Sequence, residues 1–172
     1  MKQHTVLTYV LLLVFQIILC NYLQLSPYLY LSFLPVMILC LPLQVSTLAA
    51  LFIAFGSALA VDFLADGVAG LNALALVPVA LLRKSVIRSV FGAEVISRGE
   101  NISLKKHGLQ KMTVAILLVQ SLFLALYVWT DGAGNRSFWF NTVKFGVSLL
   151  AGYLVSLALC NLIAEDESGR WK

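Results

Sequence analysis

Two carboxylates, two glycines and an asparagine come together in one short stretch of an otherwise apolar chain. The stretch runs from Asp62 to Asn72 and reads DFLADGVAGLN. Asp62 and Asp66 are four positions apart, so a helix presents both carboxylates on one face. Gly67 and Gly70 permit a tight reversal and a close approach of helices, and Asn72 is able to hydrogen bond across them. Three readings stay open: a hydrogen-bonded turn that joins two helices, a docking site for a partner, and a cation or proton site.

Catalytic chemistry finds little support in the chain. The only histidines, His4 and His107, lie at the edges of apolar segments, and Ser57 has no histidine in a facing segment, which excludes an intramembrane serine protease. No phosphate-binding loop and no zinc-ligand spacing occur, and two carboxylates alone rarely hold a metal ion without further oxygen ligands. We therefore predict a protein that is not an enzyme and that carries no cofactor and no metal.

The composition indicates that lipid is the solvent for most of the protein. The 172-residue chain has no formal charge from Gln3 to Val61, and 12% of all residues are charged, against about 25% in soluble proteins. The hydrophobic share is 60% and the mean hydropathy is +0.92. Apolar runs such as residues 114–119 do not alternate with polar residues, as the strands of a membrane barrel require. We predict an all-α, polytopic integral membrane protein.

About six transmembrane helices fit into the chain, in a single transmembrane domain covering residues 1–172. A span needs roughly 20 apolar residues, because the hydrocarbon core is about 30 Å thick. The second predicted span is short and is interrupted by Pro35 and Pro42, and we favour a bent crossing over a re-entrant segment there. The predicted spans are approximately 5–25, 28–43, 45–64, 67–82, 112–130 and 141–164. Small residues in the third span predict close helix packing; they are Ala50, Ala54, Gly56 and Ala58.

A basic loop, residues 83–111, separates the fourth and fifth spans. An excess of Lys and Arg is typical of the cytoplasmic side, where it contacts anionic lipid headgroups, so six spans put both termini in the cytoplasm. The stretch after Arg83 is either a short amphipathic helix on the membrane surface or a continuation of span four. Aromatic and basic residues do not interleave, so nucleic acid is not a predicted partner of this chain of net charge +4. The predicted inner-leaflet bases are Arg83, Lys84, Arg88, Lys105, Lys106 and Lys111.

The order of spans and the polar stretch together resemble a known family. The residues that carry the resemblance are Asp62, Asp66-Gly67 and Gly70-Leu71-Asn72-Ala73, followed by Arg83-Lys84. This pattern resembles MreD, the small rod-shape-determining membrane protein of bacteria. In that family an Asp closes one apolar helix, and a Gly-rich turn opens the next helix, which ends in basic residues. The resemblance covers nearly the whole chain in hydropathy, and its sharp motif covers residues 61–88.

The resemblance implies a non-enzymatic scaffold in the bacterial plasma membrane. Proteins of this family act in the cell-elongation complex with the bitopic protein MreC, and indirectly with the actin-like MreB and the RodA–PBP2 peptidoglycan synthase. The resemblance also implies a six-helix fold similar to the substrate-binding subunits of energy-coupling-factor vitamin transporters. By position, the residues expected to serve the fold and partner docking are Asp62, Asp66, Gly67, Gly70 and Asn72. The alternative function is that of a vitamin-binding subunit of such a transporter.

Overall fold

The computed structural model describes residues 3–22, 28–98, 102, 108–133 and 136–168. These residues form helices and connecting segments, without a strand among them, which confirms the all-helical class for this part of the chain. A π-helical turn, Asp62–Asp66, continues the third helix. The helices are α1 (Gln3–Tyr22), α2 (Leu34–Leu39), α3 (Thr47–Val61), α4 (Leu71–Phe91), α5 (Ala93–Arg98), α6 (Leu109–Asp131) and α7 (Phe138–Ser168).

Three helical stretches in the described ranges are long and apolar enough to cross a membrane. They are Thr47–Asp66, Leu109–Asp131 and Phe138–Cys160, and a shorter apolar helix covers Val6–Tyr22. Lipid leaves backbone groups without partners unless a helix pairs them internally, which suits these segments to a membrane. The helix lengths and compositions therefore support three of the six predicted spans.

The third helix begins at a serine cap and packs through alanines. Ser46 precedes α3 and its hydroxyl accepts a hydrogen bond from the Ala49 amide at 3.2 Å, which pairs one of the free N–H groups at the helix start. Ala50, Ala54 and Ala58 are at most 1% exposed, and α3 packs chiefly against α4. Small side chains at this spacing let two helices approach closely, and all three alanines lie on the buried side of α3.

Gly56 differs from the other small residues of α3. It is exposed, and a Cβ added there would meet nothing within 4 Å. Gly56 is two positions from both Ala54 and Ala58, so it lies on the opposite side of the helix. The open space at this position does not show the close helix packing predicted for Gly56.

The predicted second span contains no helix of crossing length. Residues Tyr28–Phe33 are non-helical, and α2 follows with only six residues, all of them buried. A helix of that length rises about 9 Å, against about 30 Å of hydrocarbon. Pro35 lies at the start of α2, where a missing N–H is tolerated, and Pro42 follows its end, where proline prevents continuation. The two prolines thus confine the helix to the interval between them.

Arg83 also differs from its prediction as an inner-leaflet base. Its side chain is 1% exposed, its Nε donates to the Leu39 carbonyl at 3.4 Å, and its Nη2 donates to the Leu41 carbonyl. The last carbonyls of a helix have no intrahelical partner, and a cation is favourable beside them. Arg83 therefore satisfies the C-terminal end of α2 inside the protein instead of facing lipid headgroups.

The other predicted inner-leaflet bases differ in how exposed their side chains are. The fourth helix continues without a break past Arg83 to Phe91, so the stretch extends span four and is not a separate amphipathic helix. Lys84 is half-buried, whereas Arg88 and Lys111 are exposed. Lys105 and Lys106 lie outside the described residues.

Candidate functional site

The chain reversal between α3 and α4, residues Asp62–Asn72, is hereafter called the polar turn. The Gly67 amide donates to the Asp62 carbonyl at 2.8 Å, which closes the wide π-helical loop. Gly67 and Gly70 have φ angles of 69° and 94°, in the left-handed region that glycine adopts without strain. Wide π-helical turns occur frequently at functional sites. All five residues predicted for the site therefore lie together, with the two glycines making the reversal.

Asp62 is a buried cap for α4. Its side chain is 0% exposed. Its Oδ2 accepts from the amides of Gly70 at 2.9 Å and Ala73 at 3.4 Å, and its Oδ1 accepts from the amide of Asn72 at 3.0 Å. The first N–H groups of a helix lack intrahelical partners and carry partial positive charge, and Gly70, at the cap position, has no side chain to pair them. Asp62 supplies that cap from the preceding turn, so its role is to lock α3 to α4.

Asn72 joins the two carboxylates. Its Nδ2 donates to Asp62 Oδ1 at 2.9 Å and to Asp66 Oδ2 at 2.5 Å. A carboxamide nitrogen carries two hydrogens, so both bonds form at once. Its Oδ1 lies 2.7 Å from the hydroxyl of Tyr30. Asn72 is 0% exposed, and both polar atoms of its side chain are paired, which holds the carboxylates at a set separation.

Asp66 is the accessible carboxylate of the polar turn. Besides Asn72, its Oδ2 has the hydroxyls of Tyr30 at 3.0 Å and Tyr127 at 3.4 Å as donors; the Tyr30 hydroxyl shares its one proton between Asp66 and Asn72. The side chain is only partly buried, and none of the described residues bonds to its Oδ1. Asp66 is thus a partly exposed carboxylate oriented through one oxygen, and its other oxygen has no partner among the described residues.

Large apolar side chains surround Asp66 along the chain. Phe63, Leu64 and Val68 are 69%, 62% and 56% exposed. In the part of the chain that the structure describes, no three His, Cys, Asp or Glu side chains group as a metal site. The turn therefore carries one partly exposed carboxylate beside exposed apolar side chains.

The two tyrosines connect the polar turn to the far helices. The rings of Tyr30 and Tyr127 stack with centroids 3.9 Å apart and planes at 17°. Lys144 Nζ lies 5.7 Å from the Tyr127 ring centroid and pairs with Asp131 Oδ2 at 2.7 Å, so the network continues into α6 and α7. Nothing in the spacing predicts these tyrosines as partners of the turn, since they lie 36 and 61 positions from Asp66.

A second polar region lies around the non-helical segment Tyr28–Phe33, and we call it the central cluster. It comprises that segment and the buried polar side chains Gln16, Gln120, Ser148 and Ser156. Gln16 Oε1 accepts from the Phe33 amide at 3.1 Å, and its Nε2 donates to the Leu31 carbonyl at 3.1 Å. A buried backbone outside a helix needs such partners, and here one glutamine of α1 supplies two.

Two further helices supply partners for other backbone groups of the segment. Gln120 Nε2, on α6, donates to the Ser32 carbonyl at 2.8 Å, and the Ser148 hydroxyl, on α7, accepts from the Tyr30 amide at 2.8 Å. Gln120 and Ser148 are both 0% exposed. Side chains of α1, α6 and α7 thus replace the hydrogen bonds that a full second helix would have made.

Comparison of the chain with protein-family models, with curated proteins and with solved structures gives no match.

Proposed function

We propose that this protein is a non-enzymatic, MreD-type scaffold of the bacterial plasma membrane, which binds an MreC-like bitopic protein. Through that partner it would regulate cell shape and peptidoglycan synthesis, with MreB and the RodA–PBP2 synthase as indirect partners. The observation that carries the proposal is the polar turn, in which Asp62 caps a helix that runs on into Arg83 and Lys84. The same residues form the sequence pattern on which the resemblance to MreD rests.

In this proposal the two carboxylates of the polar turn have different roles, one in the fold and one in docking. Asp62 is buried and fully occupied by the start of α4, so it serves the fold. Asp66 keeps one oxygen for a partner and lies on the same turn as the exposed Phe63 and Val68. A single-span partner packs on such a surface by shape, and one N–H from its juxtamembrane residues would bond to Asp66 Oδ1.

The test of the function is a detergent pull-down of the tagged full-length chain from its native membrane, read by mass spectrometry. Recovery of an MreC-like protein with cell-wall synthases is the expected result, and depletion of the chain should give swollen or round cells. Normal cell shape after clean depletion, or a pull-down without any such protein, would overturn the proposal.

The test of the docking site compares variants in the same pull-down. Asp66→Asn keeps an acceptor oxygen for Tyr30 and Asn72 but removes the charge, and we expect about a tenfold or greater loss of partner, because a hydrogen bond to a charged group contributes about 1.5–3 kcal/mol. Phe63→Ala should also weaken the complex. Its matched control is Phe52→Ala, since Phe52 is 76% exposed on the same helix face but three turns away. Equal yields from all three variants would remove the docking site and leave the function standing.

One observation favours the alternative, a vitamin-binding subunit. The central cluster contains a partly buried non-helical segment beside a short helix, and interrupted helices often form substrate sites in transporters. The same pull-down separates the two functions, because a transporter subunit would recover ATPase and coupling subunits in place of an MreC-like protein.

A further inference from the structure

Three buried polar atoms of the central cluster have no hydrogen-bond partner in the protein. They are Ser32 Oγ, Gln120 Oε1 and Ser156 Oγ, and their side chains are 0–1% exposed. A polar group buried without a partner is destabilising, and most buried polar groups in proteins are paired. Three such atoms in one region of a small protein call for a physical explanation.

The contacts of Gln120 relate the three residues to one another. Its Nε2 donates to the Ser32 carbonyl at 2.8 Å, which puts the carboxamide beside Ser32. A Cβ at Gly152 would overlap the Gln120 carboxamide, so this group also lies directly on α7. Ser156 follows Gly152 by one helical turn and therefore shares its face.

The same face of α7 is independently turned toward the non-helical segment. Ser148 precedes Gly152 by one turn, and its hydroxyl binds the Tyr30 amide. Ser148, Gly152 and Ser156 thus form a line of small residues on one face of α7, and the first two of them contact the segment and Gln120. Ser32 and Gln120 are therefore neighbours, and Ser156 lies one helical turn from the glycine beside the Gln120 carboxamide.

The chemistry of the three atoms defines the occupant. Gln120 Oε1 only accepts hydrogen bonds, because its amide nitrogen is the atom bonded to the Ser32 carbonyl. The two hydroxyls both donate and accept. We propose that Ser32, Gln120 and Ser156 form an internal hydration site that holds ordered water, donating to Gln120 Oε1 and bonded to the serine hydroxyls. Water fits because it is neutral, small enough for a close-packed interior, and able to meet two to four polar partners.

This inference is independent of the proposed scaffold function. Its consequence is that the non-helical segment Tyr28–Phe33 is stabilised by solvent as well as by Gln16, Gln120 and Ser148. With water bound, the two serine hydroxyls and Gln120 Oε1 have hydrogen-bond partners. Without water they would be buried and unpaired.

A structure of the full chain in detergent or nanodiscs, at a resolution that shows ordered water, tests the site directly. The expected result is a water peak at about 2.7–3.2 Å from Gln120 Oε1 and from at least one serine hydroxyl. Absence of density there, with both hydroxyls turned to main-chain carbonyls, would overturn the proposal, as would density for a larger molecule.

A stability cycle tests it in solution. Ser32→Ala and Ser156→Ala each remove one partner of the water, so each should lower the melting temperature by about 2–4 °C, and the double variant should lose less than the sum because both act through one water. If the groups are dry and orphaned, each alanine leaves the melting temperature unchanged or raises it, and the proposal fails. Ser121→Ala is the control, since the Ser121 hydroxyl already bonds to the Leu118 carbonyl and should change little.

Discussion

The polar turn and the central cluster both place polar groups inside an apolar protein, and they do so over different distances along the chain. The bonds of Asp62 in the turn reach residues 8, 10 and 11 positions away. In the central cluster, the bonds of Gln120 and Ser148 reach 88 and 118 positions. The turn is assembled by neighbours in sequence, whereas the cluster needs α1, α6 and α7 already in place.

The two regions also differ in how completely they are paired. The buried side chains of the turn, Asp62 and Asn72, have partners for each of their polar atoms. The cluster leaves unpartnered atoms on Ser32, Gln120 and Ser156. A fully paired network stabilises a fixed geometry around Asp66. The cluster joins distant elements and keeps three polar atoms without a partner in the protein. Those atoms are available to bind water.

The largest expected effect comes from breaking the turn at its carboxylate. Asp62→Ala leaves the amides of Gly70, Asn72 and Ala73 buried without an acceptor, so the free energy of unfolding should fall by about 3 kcal/mol or more. The measurement is thermal unfolding of the purified protein in detergent. Asp66→Asn is the comparison, because its side chain is partly exposed and keeps an acceptor. Equal melting temperatures for the two variants would show that the cap does not stabilise the reversal.

The next largest effect tests the central cluster through Gln16, whose side chain makes two hydrogen bonds to the backbone of the segment. Gln16→Leu leaves the Leu31 carbonyl and the Phe33 amide unpaired in the interior, and we expect a loss of about 2–4 kcal/mol. The control, on the same helix, is Asn21→Leu. The Asn21 amide also donates to backbone carbonyls, of Ile17 and Leu64, but it is exposed, so the loss should stay below about 1 kcal/mol. If both variants lost a similar free energy of unfolding, burial of the hydrogen-bonded side chain would not determine its contribution to stability.

A third prediction concerns the contact between Gln120 and α7. Gly152→Ala introduces a Cβ that overlaps the Gln120 carboxamide, so the amide must move and its bond to Ser32 weakens. We expect a loss of about 1–3 kcal/mol. Gly146→Ala, on the same helix, meets nothing within 4 Å and should be stabilising by about 0.5–1 kcal/mol. A stabilising Gly152→Ala would contradict the packing of Gln120 on this glycine.

The smallest effect tests the backbone of the turn. A Cβ at Gly70 would meet nothing within 4 Å, but its φ of 94° is strained for any other residue, so Gly70→Ala should cost about 1–2 kcal/mol. Gly56→Ala is the matched control, since its surroundings are equally open and its conformation is helical. Gly70→Leu should also weaken partner capture in the pull-down. An unchanged yield with that variant would separate the turn from docking.

The sequence by itself predicted what depends on composition and on near neighbours. Low charge and non-alternating apolar runs determine an all-helical protein, because lipid requires internally paired backbone. The stripe Ala50, Ala54, Ala58 is a property of one helix, and its burial followed from spacing. The residues of the polar turn also lie close enough in sequence for their proximity to be predicted, although the capping role of Asp62 and the bridging role of Asn72 were seen only in the structure.

Tertiary structure decided everything that joins distant segments. The six-residue α2, the burial of Arg83 against its carbonyls, and the bonds of Tyr30 and Tyr127 to Asp66 depend on which helices become neighbours. Gly56 is as small as the alanines of the same helix, yet the alanine stripe is buried and Gly56, on the opposite side, is exposed. Hydropathy reports how apolar a segment is and leaves open which side of it meets protein. Packing between helices determines which side is buried. It leaves Asp62 buried as a helix cap and Asp66 partly exposed.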